Sequence, residues 1–157
     1  MGLLRKSILV TDAAANSAIY EKFFRALPGG AEVVDWFGFA PCFHDATLER
    51  LELANNSATL VLAAFRATSK VDDRGFFILD KHALVTIRLG LVSAVSLTGN
   101  AGSIVSSLAI GSVKSESSWQ TVPGPAVGDF EISWESSYGL EGVLCARDVR
   151  LSLQPQR

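Results

Sequence analysis

Little in this chain can build a covalent or metal scaffold. It has 2 cysteines and 2 histidines among 157 residues. Two cysteines make no disulfide framework, and a zinc site needs three or four ligands. Charge is sparse as well. Asp, Glu, Lys and Arg make up 19% of the chain, below the roughly 25% of an average soluble domain. With 14 bases against 16 acids and a net charge of −2, there is no basic stripe to neutralise phosphates, so nucleic acid is not an expected partner. No G-x-G-x-x-G, P-loop, G-x-S-x-G, H-E-x-x-H or C-x-x-C pattern occurs, which removes the common nucleotide, hydrolase, zinc and redox signatures. No cofactor or metal is implied. There is no internal repeat, low-complexity tract or linker, so a single domain over residues 1–157 is expected.

Apolar sequence is what the chain has in quantity, at 48%. That is too much for disorder, and a domain of this length buries enough surface to fold without staples. The longest uncharged run, Leu89 to Val113, has 25 residues, enough to span a bilayer. Twelve of those 25 are Ser, Gly, Thr or Asn, and Thr98-Gly99-Asn100-Ala101-Gly102-Ser103 reads as a turn. The run is therefore expected to form two buried strands and not a membrane span. The N-terminal apolar stretch is too short for a signal-peptide core and ends at Asp12. Lys6 stands where myristoylation wants Ser or Thr. Cys42 and Cys145 are then expected as reduced thiols in the cytoplasm, where the Asn55-Asn56-Ser57 sequon has no role.

Periodicity predicts one N-terminal helix, from about Ala14 to Leu27. Ile19, Phe23 and Leu27 recur every fourth residue, Thr11 or Asp12 can cap the start, and Pro28-Gly29-Gly30 stops it. Beyond residue 40 the chain reads as strands. Thr59 to Ala67 is almost continuously apolar, as in a strand covered on both faces. Ala83, Val85, Ile87, Leu89 and Leu91 alternate with Leu84, Thr86, Arg88 and Gly90. Phe130, Ile132 and Trp134 alternate with Glu131, Ser133 and Glu135, and Val149, Leu151 and Leu153 close the chain. Asp72-Asp73-Arg74-Gly75 is a turn, and Gln120 to Gly128 a loop. Trp36, Trp119 and Trp134 are expected in or against the core. The predicted class is α+β, mainly β: one N-terminal helix packed on an antiparallel sandwich or curled sheet of seven to eight strands.

Two groups of residues carry chemistry. Cys42, His44 and Asp45 form the densest reactive cluster. They could serve a small hydrolase or a metal enzyme. On an extended chain, however, Cys42 and His44 point to one face and Asp45 to the other, and a polar satisfaction role at the start of a strand is the simpler expectation. The second group is acidic. No Lys or Arg occurs between Lys114 and Arg147, an interval holding Glu116, Asp129, Glu131, Glu135 and Glu141. Glu131 and Glu135 should share an outer strand face, forming a docking surface for a basic partner. A third possibility is a β-domain holding an apolar ligand between its sheets.

Three segments also resemble a known family. They are Gly38-Phe39-Ala40-Pro41-Cys42-Phe43-His44-Asp45-Ala46, Gly75-Phe76-Phe77-Ile78-Leu79-Asp80-Lys81-His82-Ala83-Leu84-Val85, and Ser136-Ser137-Tyr138-Gly139-Leu140-Glu141-Gly142 followed by Cys145. Their order and spacing are similar to those of the bacterial immunity protein 50 family, from about residue 35 to the C-terminus. Cys42 and Thr47 depart from it, standing where that family has Ser and an acidic residue. The resemblance implies a cytoplasmic, non-catalytic protein that binds and neutralises a cognate toxin of a polymorphic toxin system. It carries over no active-site residue.

Overall fold

The computed structural model describes residues 10–114 and 124–157. The N-terminal stretch before Val10, Glu116, Trp119 and the first part of the loop expected at Gln120–Gly128 lie outside the described residues. The elements are α1 (Val10–Ala26), α2 (Gly30–Phe37), β1 (Thr47–Ala54), β2 (Ser57–Val71), β3 (Phe77–Ser112) and β4 (Phe130–Pro155). All four strands are antiparallel and form one sheet in the order β1-β2-β3-β4.

The sheet curls back on itself. The first half of β3 pairs with β2, from Ala83 opposite Ala64 to Leu89 opposite Ala58. Its second half returns to the start of β1, with Ile104 opposite Thr47. Backbone bonds Asp45 N–H to Val105 O, Val105 N–H to Ala46 O and Leu108 N–H to Cys42 O extend that seam, each 2.8 Å long. β4 follows the other edge of β3 along nearly its whole length.

Period-2 alternation sends one residue set inward. Leu51, Leu60, Ile87 and Leu151 lie in one row across the four strands. Leu60, Leu62, Val85, Ile87, Ile132, Trp134 and Leu144 are all buried, and they form one core with Phe24, Val33, Val34 and Phe37 of the helices. The opposite face of β2, with Thr59, Val61 and Ala63, stays half-exposed. β2 is therefore covered on one face only, contrary to the reading from its composition.

Two further expectations need correction. The structure has four strands in place of seven to eight, because the long ones bend where breaks were expected. At Thr98–Ser103 the chain does not reverse. β3 bulges there while β4 turns the same corner at Gly139, so Thr98 faces Glu141 and Ser103 faces Gly139. The uncharged 25-residue run thus falls almost wholly within one strand. Among the described residues no helix is long and apolar enough to cross a membrane.

The helical part is also different. α1 begins at Val10, so Thr11 and Asp12 fall inside the helix and not at its expected start. After Pro28-Gly29 the chain starts a second helix, whose Val33, Val34 and Phe37 are buried. Ile19 is exposed, whereas Phe24 and Leu27 enter the core and Phe23 packs against it. The Tyr20 hydroxyl accepts a hydrogen bond from the Ile110 N–H at 3.2 Å. Burial pushes the Tyr20 hydroxyl pKa up; that bond works in the opposite direction, and nearby Cys42 adds to the rise. The Leu151 N–H donates to Pro28 O at 2.8 Å, so the interhelical turn covers part of the outer edge of β4.

Candidate functional site

The corner of the β3–β4 hairpin holds a groove of about 360 Å³. Its walls include Ser96, Thr98 and Ser107 of β3 and Ser133, Glu135 and Glu141 of β4, with Trp134 beneath. Residues on the straight part of an antiparallel pair face their partners in sequence: Glu135 lies opposite Ser107 and Glu141 opposite Thr98. Only the corner brings these two carboxylates to one recess.

A small hydrogen-bond hub fixes that corner. The Leu140 carbonyl accepts from Trp134 Nε1 at 3.0 Å and from Ser103 Oγ at 2.7 Å. Ser136 Oγ donates to Gly139 O at 3.0 Å. The Ser136 N–H reaches Glu141 Oε2 at 3.5 Å, which sets that carboxylate beside the Glu135–Ser136 peptide. Neither Glu135 nor Glu141 has an ion-pair partner among the described residues. The groove therefore presents free negative charge over hydroxyls and the edge of an indole. That arrangement suits hydrogen bonding to a basic side chain better than bond-making chemistry.

The other two acidic candidates behave differently. Glu131 is half-buried opposite Gly111, on the same strand face as Glu135. Asp129 is buried, at 6% exposure, and is no part of an outer surface. Its Oδ2 accepts from Ser93 Oγ at 3.2 Å and from the Ala126 N–H at 3.0 Å. It clamps the loop before β4 onto β3, a local side-chain-to-backbone role typical of Asp. Asp129 and Glu131 also lie near the buried Cys145. Burial first, then repulsion from these two carboxylates, pushes the Cys145 thiol up to about 11.

Cys42, His44 and Asp45 all line a second recess of about 320 Å³, walled by Phe39, Phe65, Phe77 and Leu79. The chain is not extended there, so the expected split between two faces does not occur. The Ala46 N–H bonds to Phe43 O at 3.0 Å, and Asp45 has φ +61°, the pattern of a type II turn with Asp where glycine is usual. Phe43 has φ +59° as well, a rare state for a bulky residue. The turn brings Asp45 Oδ2 to 3.5 Å from His44 Nε2, while His44 Nδ1 meets the Ser106 carbonyl at 2.9 Å. The carbonyl can only accept, so Nδ1 carries the proton. The thiol of Cys42 has no hydrogen bond to His44 among the described residues. No group of three His, Cys, Asp or Glu among them is placed to hold a metal.

Sequence reasoning passed over the arm beyond this recess. There Arg66 Nε and Nη2 grip the Asp80 carboxylate at 2.8 and 2.6 Å. That bidentate bond holds the Asp80 carboxyl below its ordinary value and raises the guanidinium. Lys81 sits 4.7 Å over the Trp36 ring, whose Nε1 donates to Lys81 O at 2.9 Å. At the tip, Asp72 Oδ1 accepts from the Arg74 and Phe76 N–H groups at 2.9 Å, as expected of a turn aspartate. The signal that went unread is Phe76-Phe77-Ile78-Leu79. Four consecutive large apolar residues on a strand must place at least half of them away from any one core.

Comparison with family models, with curated proteins and with solved structures finds no match.

Proposed function

We propose that this chain is a non-catalytic immunity-type protein of the cytoplasm, which blocks a basic toxin by docking it in the groove at the β3–β4 corner. The observation that carries the reading is the pair Glu135 and Glu141, brought to one recess and without an ion-pair partner among the described residues. An inhibitor needs a rigid surface with complementary charge and no reaction of its own. The resemblance of three segments to the immunity protein 50 family supports a toxin as the partner. The hydrolase reading is weaker on geometry, because among the described residues no hydrogen bond joins the Cys42 thiol to His44, whose Nε2 faces Asp45 instead.

The experiment co-expresses this chain with candidate toxins drawn from the genes that neighbour its own and then measures association kinetics. Protection of the host and a co-purified complex are expected. Neither protection nor a complex would overturn the proposal. Reversing both glutamates (Glu135→Lys with Glu141→Lys) should slow association roughly tenfold at low salt and much less at high salt. An on-rate that ignores both the reversal and the salt removes this groove as the docking surface.

A further inference from the structure

The arm formed by the end of β2 and the start of β3 projects past the core. β1 pairs with β2 only as far as Ala63, and β4 pairs with β3 only down to Ala83. Beyond those points the hairpin has no strand neighbour on either side among the described residues. It is nevertheless apolar. Phe76 is 67% exposed, Phe77 64%, Val71 56%, Ile78 43% and Leu79 41%, and Phe39 at its base is 45% exposed. Phe77 and Leu79 turn toward the recess at the base of the arm, where Phe39, Pro41, Phe43 and Phe65 form the wall.

We infer that this arm and its basal recess are a homodimer interface, in which each copy seats its arm in the recess of the other. The chain carries both the projecting rings and the apolar hollow, so a two-fold pair satisfies both at once, as an isologous contact requires. The area fits. Taking about 150–250 Å² per large side chain, these six residues leave roughly 600 Å² in water, the upper end of what a monomer exposes in one patch. Covering them in two copies removes about 1,200 Å², the lower edge of a specific interface. The contact is through side chains and not through added strands. A register shift between Ala67 and Val71 breaks the outer edge, and Lys70 sits on it, both of which block edge-to-edge pairing.

The inference concerns the chain alone and does not depend on the acidic groove. Sedimentation of the purified full chain over a dilution series tests it without any toxin. A reversible dimer with micromolar Kd is expected, and Phe77→Glu should raise that Kd at least about 30-fold, since each dimer loses two ring contacts. Phe77 lies outside the core, so at concentrations well below the wild-type Kd, where both are monomers, the variant should melt at the wild-type temperature. A second measurement needs no variant: dilution of ¹⁵N-labelled wild type should shift the amides of Phe39, Val71, Phe77 and Leu79 and leave those of Glu135 and Glu141 still. A chain that stays monomeric at all concentrations overturns the inference, including the case where the arm serves a different protein. A dimer with unchanged Kd in the variant, or shifts confined to other residues, overturns it equally.

Discussion

The corner between the two halves of the β3–β4 hairpin should fail selectively when one glycine is given a methyl group. Gly139 has φ +94°, and a Cβ built on it would run into the carbonyl of Gly102 on the facing strand. Gly102 has φ +81°, yet a Cβ there meets nothing within 4 Å. The two positions share the backbone penalty and differ in space. For Gly102→Ala only the left-handed conformation is charged, about 1 kcal/mol. For Gly139→Ala the strands must also separate, which adds roughly 1–3 kcal/mol of overpacking strain. The expected difference between the variants is therefore about 2 kcal/mol, or about 4–8 °C in Tm for a domain of this size.

Urea unfolding with fitted m-values is the suitable assay, because it separates stability from a change in compactness. Trp134 lies at the same corner, so the loosened variant should also show altered indole emission, and the toxin on-rate should fall with it. If Gly102→Ala costs as much as Gly139→Ala, the close approach of the two strands is not what holds the corner. If both cost less than about 0.5 kcal/mol, the corner is not rigid at all and cannot preorganise Glu135 and Glu141.

Other consequences follow from the same geometry. Trp134→Phe and Ser103→Ala should each cost about 1 kcal/mol, because the Leu140 carbonyl keeps one of its two donors; the double variant should cost more than the sum, since that carbonyl is then orphaned. Strict additivity in a thermal-melt cycle would contradict the shared acceptor. The exposed Cys42 should react with a thiol reagent at mildly alkaline pH in the native chain, while the buried Cys145 should react only after unfolding. The Cys145 pKa is raised from an ordinary 9.0 to about 11. The folded form therefore holds a proton that the unfolded form releases, and stability present below pH 9 is lost as pH rises toward 11. Two native thiols reacting at equal rates, or a flat alkaline stability curve in wild type compared with Cys145→Ala, would contradict this.

How much of this was legible in the sequence depends on the scale. The inward rows were readable, because Val85, Ile87 and Leu89 or Ile132 and Trp134 alternate strictly with polar or small residues. The strand count was not. Glycines with positive φ serve a tight reversal and a bulged corner equally well, and Gly99 and Gly102 serve the corner. The second helix hid behind Pro28-Gly29-Gly30, which ended α1 but also let Val33, Val34 and Phe37 begin again on a new axis. Asp129 misled for a local reason: next to Gly128 it is a turn acceptor, its Oδ2 accepts from Ser93 and Ala126, and its Oδ1 lies 4.0 Å from Arg147 Nε. That Glu135 and Glu141 converge could not be read, because the convergence comes from the bend and not from spacing along either strand.

The bend also explains what the near-neutral total charge conceals. One hairpin carries both signs, separated along its length. On the straight half, Arg88 and Arg150 lie directly opposite each other on the outer face, a like-charge pair that costs a sheet a few tenths of a kcal/mol or more. Arg88 bonds to Ser152 Oγ at 3.3 Å, and Asp148 lines a recess together with both arginines. Past the corner stand Glu131 and Glu135, with Glu141 at its near edge, and the sequence has no base between Lys114 and Arg147. The hairpin is therefore more negative at its corner than along its straight half, and an uneven charge of this kind turns an approaching charged protein before contact. In the proposed reading, a basic toxin is drawn to the glutamate corner and repelled by Arg88 and Arg150. Replacing Arg150 by Gln should then raise stability slightly and raise the toxin on-rate at low salt, and an on-rate that falls would refute the reading.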